Sequence, residues 1–293
     1  MAHTQGEPII LRRAKAFAHM LESMALEIPD GALIVGRHPK TTLNEEEAAR
    51  IREEWRRVAD PPEDGELHYQ NEGLFRAPII ILHLAPDAEK ALHTGFDGLC
   101  EEIRKRLSVV KEEAVKDFLR AALICAEAAG RFIQRHADLA LEMAASEEDQ
   151  TRRAELQEIA AVCRRIALEP PNTFREALQL IWFIYLLVNL ESDHIIHCAG
   201  PGTLDRWLIE FYRKDVKAQR LTPEQALEVL ECFFVEMNAS LPRGGILPLA
   251  IGGLKAEGEG AENELTWLCL KSVADLRMLH PSLALRYHRN MPR

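Results

Sequence analysis

The chain has 293 residues, 47% of them hydrophobic and 28% charged, with a formal net charge of -10 at neutral pH. This is the composition of a soluble globular protein, long enough for one large domain or two ordinary ones. The negative balance argues against non-specific nucleic-acid binding, which draws its affinity from Lys and Arg at phosphates.

Residues Pro8 to Met24 put Ile9, Ala16, Met20 and Leu21 into a helical pattern that closes before the turn signal Pro29-Asp30-Gly31. Ala32 to Val35 reads as a short extended piece. Glu45 to Val58 reads as a charged helix, Asp60 to Gly73 with Pro61-Pro62 as a loop, and Pro78 to Leu84 as the first strand. Ala88 to Leu107 and Glu112 to Ala145 both carry apolar residues at i, i+3, i+4 spacing. In the second, Phe118, Ala122, Cys125, Ala129, Phe132, Ala137 and Leu141 mark the predicted buried stripe, and its alanines predict a close-packed bundle. After a polar break at Glu147 to Gln150, Arg152 to Ile166 is helical again. The pairs Arg152-Arg153 and Arg164-Arg165, interleaved with acids, read as solvated faces.

Pro170-Pro171 closes the next loop, and Thr173 with Glu176 forms a capping box. Thr222-Pro223-Glu224-Gln225 repeats the device, with proline at the first helical position. The longest apolar run, Leu180 to Val188, has nine residues. That is well short of the ~20 needed to span a bilayer, so it reads as a buried core helix carrying Trp182, Phe183 and Tyr185. Gly244-Gly245 leads into the apolar run Ile246 to Ile251, Asn263 to Met278 is a helix, and Ser282 to His288 alternates like a strand. Strand, helix, strand predicts a parallel pair. Six cysteines show neither a close pair nor a metal spacing, and no signal peptide precedes them, so reduced cytosolic thiols are expected.

Several segments, in order, carry a resemblance. They are Gly6-Glu7-Pro8 with Arg12 to Ala16, Leu33 to Gly36, His83 to Asp87 with Glu89 to Leu92, and Thr151 to Leu156. Pro170 to Gln179, Glu191 to Cys198 and Pro201 to Leu208 follow, then Gly252-Gly253, Gly258, Asn263 to Thr266, and Pro281, Leu283, Arg286 and His288. Together they resemble the N-terminal portion of the pyruvate formate-lyase domain of the glycyl radical enzymes.

The resemblance implies a mostly α fold with an α/β portion: the helical N-terminal layer and first strands of a ten-stranded barrel, incomplete here. Residues 1–150 would be the N-terminal helical region, and 151–293 the central helices and first half-barrel strands of the same domain. It implies a radical lyase or dehydratase reaction on a small organic substrate, started by a thiyl radical, in a cytoplasmic, anaerobic setting. The glycyl radical would be installed by a separate radical S-adenosylmethionine activating enzyme, and no other cofactor is implied. The reacting cysteine and radical glycine have no counterpart in these residues, so the chain alone is expected to be inactive. It would pair with a C-terminal chain or with a second copy.

By the same resemblance, His83, His197 and Cys198 are the candidate substrate-binding residues. The chemistry suits them, because a departing hydroxyl needs a proton donor and imidazole titrates near neutrality. Cys198 stands where the family pattern has serine, Thr203 where it has arginine, and Arg206 where it has glutamine. Losing the arginine removes a fixed bidentate donor.

Cys100 with Glu102 and Cys125 with Glu127 have the family's Cys-x-Glu spacing but read as buried helix residues. Glu191, Asp193, His194 and His197 suggest a metal cluster without an evident further ligand downstream. Other readings are a non-catalytic helical scaffold, a half-enzyme of the formate C-acetyltransferase type, and a metal hydrolase using that cluster.

Overall fold

The computed structural model describes Thr4, Ala49 and residues 6–37, 86–191, 200–239 and 248–291. The sequence-predicted helix at Glu45 to Val58, loop at Asp60 to Gly73 and strand at Pro78 to Leu84 lie essentially outside the described residues, Ala49 alone excepted. What is described is mostly α with a small α/β portion. The helices are α1 (Ile9–Ser23), α2 (Ala88–Val109), α3 (Glu113–Ser146), α4 (Gln150–Ile166), α5 (Phe174–Glu191), α6 (Leu204–Lys217), α7 (Pro223–Ala239) and α8 (Glu264–Leu276). The strands are β1 (Pro248–Gly252) and β2 (Ser282–Arg286), which flank α8.

The long helix α3 is the spine of the bundle, with α1, α2 and α4 packed along it. Ala121, Ala128, Ala129, Ala137, Ala140 and Ala144 are buried on it, and small side chains let the neighbouring backbones approach closely. Phe132 and Ile133 fill the space between them. Phe118, expected in the stripe, is 57% exposed, because it lies in the first turns of the helix, near its exposed start. Arg152 corrects a second expectation. It is buried, and its guanidinium donates to the carbonyls of Ala32 (3.0 Å) and Pro29 (3.1 Å) while pairing with Glu155. An arginine that satisfies loop carbonyls can be buried where one on a solvated face cannot.

Helix α2 reads as continuous in the sequence but kinks at Gly95, whose φ of 64° is left-handed. A side chain there would strike the backbone of Leu168 to Pro170, and Asp97 N–H donates to the Leu168 carbonyl at 2.9 Å. The break lets the loop after α4 enter the helix surface.

Helix α5 is buried nearly all round, as its apolar run predicts. It carries one buried amide, Gln179, which serves the segment at 33–37. Val35 N–H donates to Gln179 Oε1 (2.9 Å), Gln179 Nε2 donates to the Val35 carbonyl (2.7 Å), and Trp182 Nε1 donates to the Gly36 carbonyl (2.6 Å). The segment expected to be extended is therefore irregular backbone satisfied by side chains, with no strand partner among the described residues. Both predicted capping boxes form, between Thr173 and Glu176 and between Thr222 and Gln225.

The two strands pair in parallel, with Ala250 opposite Ala284. A parallel pair needs a crossover, and α8 supplies it. Asn263 and Thr266 form the capping box that starts α8, although Thr replaces the usual Glu or Gln.

Candidate functional site

His83, His197 and Cys198 lie outside the described residues, as do Asp193 and His194. The described residues give the frame around them. Glu191, the last residue of α5, is exposed and pairs with Arg13 of α1 at 2.9 Å. Gly200 is buried with its Cα against the Pro248 carbonyl at the start of β1, where no side chain fits. Gly202, with φ of 78°, lies under the Trp207 ring, which likewise excludes a side chain. The turn that follows His197-Cys198 is thus held by two close backbone approaches.

Asp205, in the first turn of α6, is fully buried. Its Oδ2 accepts from Gly252 N–H (2.7 Å) and from Thr266 Oγ1 (2.7 Å), and its carbonyl accepts from Asn263 Nδ2 (3.1 Å). One carboxylate therefore ties α6 to the end of β1 and the start of α8. Its Oδ1 is buried with no partner. Arg206 Nη2 donates to the carbonyls of Leu254 (2.5 Å) and Gly252 (3.4 Å), and Arg286 Nη2 donates to the same Gly252 carbonyl (2.5 Å). The Arg206 guanidinium is thus anchored on the turn after β1.

Near this cluster, buried His288 and half-buried Glu262 form a pair, Nε2 to Oε2 at 2.8 Å, and this bond holds the Glu262 carboxyl below its ordinary range. Sequence reasoning assigned no role to Asp205, Arg286 or this pair. The signal was present in the Asn263–Thr266 spacing, but the partners are 47 to 61 residues apart and meet only in the fold.

At the other end of the frame, Arg37 pairs with Glu236 of α7, Nη2 to Oε1 at 2.6 Å, with Glu236 side chain 3% exposed. Burial pushes the Glu236 carboxyl upward, and Arg37 opposes that shift.

The two Cys-x-Glu spacings do not make reacting pairs. Glu102 pairs with Lys90 and Glu127 with Arg104, all on helix surfaces, while Cys100 is buried. Burial raises the thiol pKa of both Cys100 and Cys125. No group of three metal-binding side chains occurs among the described residues.

A family profile described as pyruvate formate lyase-like matches residues 81–293. The chain belongs to the pyruvate formate lyase-like family. Among relatives in this family it is 31% identical to isethionate sulfite-lyase of Oleidesulfovibrio alaskensis, a match covering 100% of this chain and 44% of the relative. It is 35% identical to (2S)-3-sulfopropanediol dehydratase of Klebsiella oxytoca over 72% of this chain and 27% of that one. The fold matches the glycerol-bound B12-independent glycerol dehydratase of Clostridium butyricum with a TM-score of 0.82 and 26% identity, covering 99% of this chain and 44% of that one. A glycyl radical enzyme of Archaeoglobus fulgidus matches with a TM-score of 0.82 and 27% identity, covering 100% of this chain and 45% of that one. The chain thus spans less than half the length of the relatives it matches.

Proposed function

We propose that these residues are the N-terminal portion of a glycyl radical enzyme whose reaction is a lyase or dehydratase step on a small organic substrate. Family membership over residues 81–293 carries this reading, and the relatives named above, a sulfite-lyase and two dehydratases, support its class. In the whole enzyme a thiyl radical would take hydrogen from the substrate, and bond cleavage or loss of water would follow. The 293 residues by themselves do not turn substrate over.

In this reading His83 and His197 hold a substrate hydroxyl and protonate it as it departs, with Cys198 lining the same pocket. The frame suits that task. Gly200, Gly202 and Asp205 fix the backbone directly after His197-Cys198 onto β1 and α8, and a positioned proton donor acts only when its backbone is held. The remaining parts are a C-terminal partner chain or second copy, a radical S-adenosylmethionine activating enzyme, and a cytoplasmic, anaerobic setting. A helical scaffold is the second reading, favoured by exposed Leu279 (82%) and Tyr287 (78%) on either side of β2.

The test is to produce the chain alone, and with the rest of the enzyme and its activating enzyme, and to assay loss of water or sulfite from small hydroxylated substrates. The chain alone gives no turnover, and the complemented enzyme does. His83→Gln and His197→Gln then each lower kcat by about 100-fold, the lower range for a lost general acid. Turnover by the chain alone, or full activity in both variants, contradicts the proposal.

A further inference from the structure

We propose that Arg206 and Arg286 form a binding subsite for a small oxyanion, a sulfonate or carboxylate group, at the C-terminal ends of β1 and β2. It rests on the geometry of these strands and is independent of the radical reading above.

Two cationic side chains from different elements converge on one carbonyl oxygen, that of Gly252, at 3.4 and 2.5 Å. Neither arginine has a carboxylate within ion-pairing distance among the described residues, whereas most other described arginines do. Like charges placed together without a counter-ion repel, and a bound anion relieves that repulsion. Burial lowers the Arg286 pKa and the Arg206 charge lowers it further, while Asp205 acts in the opposite direction. Asp205 does not discharge the pair. Its Oδ2 is committed to Gly252 N–H and Thr266, and one carboxylate against two guanidinium groups leaves a net positive charge.

The arginines are also held in place. A side chain at Gly253 would come within 3.0 Å of Arg286 Nε and 3.1 Å of its guanidinium carbon, closer than ordinary contact, so the glycine makes room for the flat group. Arg206 is fixed by the Leu254 and Gly252 carbonyls, and its Nε is buried without a partner. Arg286 remains exposed as a residue. Fixed, forked donors with free N–H groups match the two coplanar oxygens of a carboxylate or two of a sulfonate. The outer carboxyl ends of parallel strands are where α/β folds bind ligands.

The experiment is calorimetric titration of the 293-residue chain with sulfate, methanesulfonate and acetate, at constant ionic strength balanced with chloride. Saturable binding of at least one of the three is expected, and the preferred one identifies the class, sulfonate or carboxylate. Arg206→Met and Arg286→Met each weaken it by about tenfold or more, as expected for a lost charge-assisted fork. Arg213→Met, which removes an exposed arginine paired with Glu264, leaves it unchanged. Arg286→Lys guards against misfolding: it keeps the charge and loses the fork, and it binds more weakly while unfolding at the wild-type temperature. No saturable binding of any anion, or equal binding by wild type and Arg286→Lys, overturns the proposal.

Discussion

Asp205 shows how much one buried carboxylate can organise. Replacing it with alanine leaves Gly252 N–H without its acceptor inside the protein, and unfilled buried donors cost about 1–3 kcal/mol each. Asp205→Ala is therefore expected to lower unfolding stability by about 2–4 kcal/mol in urea titration, and Thr266→Val, which also removes two bonds (its hydroxyl's donation to Asp205 and its acceptance from Asn263 N–H), by a comparable amount. His136 gives a pH prediction. It is fully buried between Phe132 and Phe183, and burial lowers its pKa to about 4. The unfolded chain takes up that proton near the ordinary value of about 6.5. The sign follows: stability contributed by the neutral imidazole is complete above about pH 6.5 and is lost progressively as pH falls to about 4. The loss is about 3 kcal/mol. His136→Gln should flatten this part of the stability profile; an unchanged slope between pH 7 and 4.5 would exclude His136 as its source. Neither role was legible in the sequence. Asp205 was read only as part of a motif, and His136 sat unremarked in an alanine-rich helix, because burial and long-range bonds are properties of the fold.

At the scale of elements the sequence was more informative. Periodicity located the long helices to within a few residues, and the two capping boxes marked helix starts that form as expected. The parallel strand pair followed from glycine turns around an apolar run. The misses share a cause. The kink at Gly95, the buried Arg152 and the side-chain-satisfied segment at 33–37 all depend on backbone carbonyls of distant loops. No local pattern encodes those. The Arg37–Glu236 pair, which ends the described part of that segment, gives an element-scale prediction. Removing one charge leaves the other in a mostly buried place, so Glu236→Gln is expected to destabilise by about 3 kcal/mol. The double variant Arg37→Met, Glu236→Leu should recover most of that loss, as replacement of a buried pair by apolar side chains often does. Chemical denaturation of the wild type and the two variants measures both steps. A double variant as unstable as Glu236→Gln would mean that the pair itself, not the stranded charge, holds the segment.

At the scale of the whole molecule, the family was legible because motif order and spacing survive low identity. The substrate residues were named from the same resemblance, and the described structure supplies their frame rather than the residues themselves. The match to isethionate sulfite-lyase runs over 365 positions against the 293 residues of this chain. That relative therefore carries stretches inside the shared span that have no counterpart here. None of the described helices is long and apolar enough to cross a membrane.

Whether these residues are one portion of a glycyl radical enzyme is tested most directly by the coding DNA downstream of Arg293. Reading frames there are expected to encode a Gly-Cys-x-Glu-like run and an Arg-Val-x-Gly-Tyr-like loop. A genome with no such sequence, there or elsewhere, would contradict the enzymatic reading and leave the scaffold in its place.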